Sequence, residues 1–111
     1  MWYIVLFLVE GLLMMLLARP MIKRRIKPNR FYGFRTPKTL SSPAVWYPAN
    51  EFSGRRLFSA GAVITLFSLL LAPLNLFGTG GVIFYTTSMV GIFLVSLFGA
   101  VIASFRYLKR L

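Results

Sequence analysis

Arg35 and Lys38 flank Thr36-Pro37, an arrangement suited to gripping a phosphate or a carboxylate, since a guanidinium chelates either with two parallel hydrogen bonds. The same cations also serve as charge that sets membrane topology, and for Lys38 that is the expected role. Trp46 and Tyr47 form either a recognition surface or an anchor at the headgroup level. Asn50 with Arg55 completes a polar pocket on one reading, and caps and solvates the start of a span on the other. Glu10 stands apart, near the middle of an apolar run, where an unpartnered carboxylate costs about 3 kcal/mol or more. Three arrangements would lower that cost. The residue is protonated, it bonds to Thr65, Ser68, Ser88 or Ser96, or a folded-in Arg35 or Arg55 reaches it. A fourth option is that a short first span slides until Glu10 meets water. Catalytic chemistry has little to work with. There are no cysteines or histidines, only Glu10 and Glu51 are acidic, and no nucleophile–base pair stands out. No metal or other cofactor is expected, and the chain is read as a non-enzyme.

These residues are set in a chain of 111 residues, 58% hydrophobic, with formal net charge +11. A soluble domain this short lacks the interior for so much apolar side chain, whereas lipid accommodates it. The basic charge does not point to nucleic acid, because the lysines and arginines are confined to two places between and after apolar runs. The fold class expected is an all-α membrane protein. It has three transmembrane helices, with a structured loop and interfacial helix between the first and second.

Trp2 to Ala18 is a run of about 17 residues, at the short end of what crosses a hydrocarbon core. No basic residue precedes it, and Leu16-Leu17 before Ala18 is not a signal-peptidase pattern, so it reads as an uncleaved span. Residues 19–56 form a basic polar segment. Pro20 and Pro28 bracket its first cluster, and Gly33 and Pro37 disfavour regular structure in Asn29–Leu40. Phe31, Tyr32 and Phe34 are expected to dip into the interface. Ser42-Pro43 reads as a helix cap and first turn, with a kink or break at Pro48. Leu57 to Phe77 is the second span, about 31 Å long at 1.5 Å per residue. Its small residues Gly61, Thr65, Ser68 and Ala72 should face protein. Asn75 lies close enough to the far surface to reach water. Residues 78–81 read as a tight outer turn, 82–105 as the third span, and 106–111 as a tail. Spans two and three are expected to pair as an antiparallel hairpin.

Ten of the thirteen basic residues fall between spans one and two, and Arg106, Lys109 and Arg110 follow span three. Three spans put both groups on one side, which the positive-inside rule names cytoplasmic. The expected location is the bacterial cytoplasmic (inner) membrane, multi-pass, with the N-terminus outside and the C-terminus inside.

The run Asn29, Tyr32-Gly33, Arg35-Thr36-Pro37-Lys38-Thr39-Leu40, then Trp46, Ala49-Asn50 and Gly54-Arg55, resembles the signature of the SdpI family of bacterial integral membrane proteins. Pro48 and Glu51 depart from the helix-forming or basic residues expected there. The best-known member gives immunity to a secreted sporulation-delaying peptide toxin and relays its presence by holding a transcriptional repressor at the membrane. The resemblance therefore implies an SdpI-like membrane binding protein. Its ligand, lipid or partner site would comprise Asn29, Tyr32, Arg35, Thr36, Lys38, Trp46, Asn50 and Arg55. The partners implied are anionic membrane lipids, a peptide toxin or a cytoplasmic regulator, with no nucleic acid, and a homo-oligomer is compatible with the small-residue stripes. The alternative is an oligomeric small transporter or channel element with Glu10 lining a polar path.

Overall fold

A computed structural model describes residues 2–111. Those residues are helical and contain no strand: α1 (Trp2–Ile22), α2 (Pro43–Leu70) and α3 (Gly78–Leu108), with short 3-10 turns at Thr39–Ser41 and Ala72–Phe77. The molecule is a rod of 53 × 22 × 19 Å. Two segments, Trp2–Ile22 and Ala72–Leu108, are long and apolar enough to cross a membrane. Most of their large side chains face outward: Leu6, Leu12, Leu16, Phe84, Val95 and Phe98 are all exposed. Lipid is the solvent that such a surface requires.

Several boundaries differ from expectation. Helix α1 runs one turn past Ala18, through Pro20. A proline so close to the end removes only one backbone bond. The helix is closed by two bonds, Arg25 N–H to the Pro20 carbonyl (2.9 Å) and Arg24 N–H to the Met21 carbonyl (3.2 Å). This is a Schellman closure with Arg24 in the left-handed region (φ 56°), where glycine is the usual occupant. Pro48 does not break α2, which is continuous from Pro43. The proline lies in the second turn, where only the Ala44 carbonyl loses its donor. The expected second span does break: the α-helix stops at Leu70, and Ala72–Phe77 continues as a 3-10 turn around Pro73. That turn reverses the chain, and residues 78–81, expected as a loop, form the first turn of α3.

Gly61 and Thr65 of the small stripe of α2 meet α1, while the Ser68 carbonyl accepts from Tyr85 of α3. A Cβ on Gly61 would lie 2.6 Å from the Gly11 carbonyl oxygen, and one on Gly54 would lie 3.1 Å from that of Ala18. The pairs Gly11–Gly61 and Ala18–Gly54 step seven residues in opposite directions, the register of an antiparallel seam with its backbones in contact. Thr65 Oγ1 is the one buried side-chain polar atom without a hydrogen-bond partner among the described residues. It lies against Gly11, 2.3 Å from where a Cβ would stand. A weak Cα–H···O contact is the compensation the geometry offers.

At the end away from the basic residues, Phe7, Ile64, Tyr85 and Met89 form the apolar core. Tyr85 donates to the Ser68 carbonyl (3.0 Å), and Tyr3 donates to Asn75 Oδ1 (2.8 Å). Asn75, expected to lie within reach of water, is buried and engaged.

Candidate functional site

The polar segment between α1 and α2 folds back over the basic end of all three helices. Its backbone is irregular, so its polar groups need partners from side chains. Asn29 supplies the first: its Oδ1 accepts from the N–H of Phe31 (2.8 Å) and of Tyr32 (2.7 Å), while its Nδ2 donates to the Lys27 carbonyl. This is an Asx turn. Gly33 follows at φ 109°, and a Cβ there would strike Asn50 Oδ1 at 2.6 Å and the Trp46 ring at 3.3 Å. Thr36-Pro37-Lys38-Thr39 is a miniature capping box. Thr36 Oγ1 accepts from the Thr39 N–H (3.1 Å), and Thr39 Oγ1 accepts from the Thr36 N–H (2.7 Å).

Three long-range ties hold this flap in place. The Asn50 side chain, 2% exposed, grips Phe34. Its Oδ1 accepts from the Phe34 N–H (2.7 Å), and its Nδ2 donates to the Phe34 carbonyl (3.3 Å) and the Trp46 carbonyl (3.0 Å). Trp46, fully buried, donates from Nε1 to the Ile26 carbonyl at 2.8 Å. Lys38 Nζ donates to the Leu108 carbonyl at 2.8 Å, where a cation suits the negative end of α3. The Phe34 ring also stands edge-on to Phe105 at 5.1 Å, and the Tyr32 hydroxyl donates to the Leu17 carbonyl.

Beneath and beside the flap lies a groove of about 420 Å³. Leu17 and Met21 of α1, Ser53 and Leu57 of α2, and Leu97, Val101, Ser104 and Phe105 of α3 form its walls. The flap contributes Phe31 to Thr36. The lining is mainly apolar, with Arg35 and Thr36 as the polar group on the flap side. Such a cleft suits an elongated apolar ligand with an acidic or polar end.

The eight expected site residues therefore divide. Tyr32, Arg35 and Thr36 line the groove. Asn29, Lys38, Trp46 and Asn50 hold the flap from behind, so Trp46 is a pillar and neither a recognition surface nor an interface anchor. Arg55 belongs elsewhere: its Nη2 lies 3.3 Å from Glu51 Oε1, while Arg24 holds Glu51 Oε2 through Nη2 at 2.8 Å. The Arg24 hydrogen bond is the main reason the Glu51 carboxyl is held below its usual range, with Arg55 adding to it and burial opposing. Glu51, a departure from the motif, thus ties the end of α1 to α2. Glu10 is half-buried on α1 and has no hydrogen-bond or ion partner among the described residues. None of the six partners considered for it makes that contact. Ser53 and Leu57 of α2 share a helical face with Trp46 and Asn50 and are legible in the sequence; the groove residues of α3 were missed by sequence reasoning. Their one signal is the recurrence of Leu97, Ala100, Val101, Ser104 and Phe105 at helical spacing.

A family model matches residues 25–107, about three quarters of the chain, and it is that of the SdpI/YfhL protein family. The chain belongs to this family of membrane proteins. No curated protein and no solved structure matches it.

Proposed function

We propose that the chain is a three-span binding protein of the bacterial cytoplasmic membrane whose flap groove takes an amphipathic peptide, and that this capture gives immunity to a peptide toxin. The observation that carries the reading is the groove itself. A flap tied to α2 by Asn50 and Trp46, to α3 by Lys38 and to α1 by Tyr32 keeps open an apolar cleft with Arg35 beside it. Arg35 supplies a guanidinium for a carboxylate, and the apolar walls take side chains that would otherwise stay in lipid. Binding without turnover fits the acids available. Glu51 is committed to two arginines, and Glu10 lies within a span.

A third crossing by α2 is supported by length. The whole helix from Pro43 to Leu70 rises about 42 Å, of which the apolar part from Leu57 onward accounts for about 21 Å. The positive-inside rule then puts the flap and C-terminus in the cytoplasm. Green fluorescent protein fused to each terminus checks this, with fluorescence expected at the C-terminus alone. For immunity, the chain is expressed in cells sensitive to a secreted amphipathic peptide toxin. Wild type should protect, and both Arg35→Glu and the groove-filling Ala100→Phe should lose protection at equal membrane abundance. Undiminished killing of cells carrying the wild type would overturn the immunity reading.

A further inference from the structure

A second groove opens between α2 and α3, on a different side of the basic end from the flap cleft. Arg56, Arg106 and Arg110 all line it, with Gly99, Ala103 and the aromatic pair Phe52–Tyr107 forming its floor. The two rings are stacked, with centroids 4.3 Å apart and planes 7° from parallel, and the Arg56 guanidinium lies over Phe52 at 5.4 Å. That stack holds one cation in position. The groove has a volume of about 370 Å³. Beyond Arg56 it meets a narrower apolar channel of about 160 Å³, bounded by Val63, Ser59, Ser96 and Ala100, which runs along the spans.

Two features call for an anion. The chain has only two side-chain carboxylates: Glu51 is taken by Arg24 and Arg55, and Glu10 is far along α1, while the C-terminal carboxylate pairs with none of the three arginines. Three guanidinium groups therefore share one groove with no acidic partner, a repulsive arrangement that a phosphate would reverse. The groove also adjoins the lipid-facing channel at Arg56, which lines both, and its wall is open at Gly99, where a Cβ would meet no atom within 4 Å. We propose that this groove is a binding site for an anionic glycerophospholipid, with the phosphate on Arg56, Arg106 and Arg110 and one acyl chain laid past Gly99 towards Val63. The occupant is a lipid because a place for an anionic head and a place for a tail adjoin at Arg56, at the end of a membrane bundle. The site rests on the membrane setting alone and is independent of what the flap groove holds.

The test uses the full chain, reconstituted in vesicles of phosphatidylglycerol and phosphatidylcholine and released in mild detergent. Native mass spectrometry then counts the lipids retained on the protein. Wild type should retain phosphatidylglycerol in preference to phosphatidylcholine. R56Q/R106Q/R110Q should lower that retention by about tenfold or more. K23Q/R25Q/K27Q removes the same charge from the other part of the basic end and should change retention by less than about twofold. G99L fills the groove from its open wall, where a Cβ meets no atom within 4 Å, with no change of charge, and should also release the lipid. Equal losses in the two triple variants would mean diffuse attraction and overturn the site. Full retention in G99L, displacement of the lipid by millimolar inorganic phosphate, or a second copy of the chain in its place would do the same.

Discussion

The two seams that α2 makes are built from the same small residues and come out differently. Against α1 the glycines are in register, Gly11 on Gly61 and Ala18 on Gly54, and the backbones close with no room between them. Against α3 the glycine of the groove has no partner: a Cβ at Gly99 meets nothing within 4 Å. Larger groups hold that side apart, Phe34 on Phe105 and Phe52 on Tyr107. One seam is a weld; the other is packed at its far end, where Ile64 meets Tyr85 and Met89, and opens into a pair of clefts at the basic end. A small-residue stripe therefore marks a place where helices are able to approach, and the opposing residue decides whether they do.

The contrast should break most severely at Gly61. Gly61→Leu would push its side chain into the Gly11 backbone, which cannot swing aside, at a cost of about 3 kcal/mol or loss of the folded state. Thermal unfolding in detergent measures it. Next comes Asn50→Ala, which leaves the Phe34 N–H and carbonyl without their partner and should cost about 2 kcal/mol. Proteolysis within 29–40 should then accelerate while α1–α2 cross-linking persists, since only the open side is affected. Gly99→Ala should go the other way, stabilising α3 by about 0.5 kcal/mol, because it improves helix propensity at an unoccupied position. A destabilised Gly99→Ala would mean that α3 packs there against something after all.

The smallest effect lies at the tie from α1 to α2. With its carboxyl held low by Arg24 first and Arg55 second, Glu51 stabilises the fold above its unfolded pKa, and that contribution is lost as pH falls through the folded value. Wild type should exceed Glu51→Gln by about 0.5 kcal/mol at neutral pH. The two melting curves should converge in acid, below the ordinary range for a glutamate.

The apolar runs were legible because lipid imposes length and hydrophobicity on sequence directly, and α1 and α3 lie where those runs do. Ends were not, because the closing bonds are backbone bonds that any residue can make, as Arg24 shows by taking a position glycine usually fills. The break of α2 at Leu71 was foreshadowed by Pro73, but the assignment of residues 78–81 to α3 was hidden by a glycine-rich stretch that reads as a turn. In the flap, Gly33 and Thr36-Pro37 were informative because their constraints are local. Asn50 was not, since its partner Phe34 is sixteen residues away. The groove walls were least legible of all. Ser104 and Phe105 look like any other positions in a span until the flap is folded over them.

The grip of Asn50 on Phe34 also supplies a clock. The Phe34 amide hydrogen is sheltered by a single side-chain oxygen and belongs to no helix, so its exchange with deuterium is timed by the flap lifting and by nothing else in the bundle. Whatever settles in the groove and holds the flap down will slow that one proton.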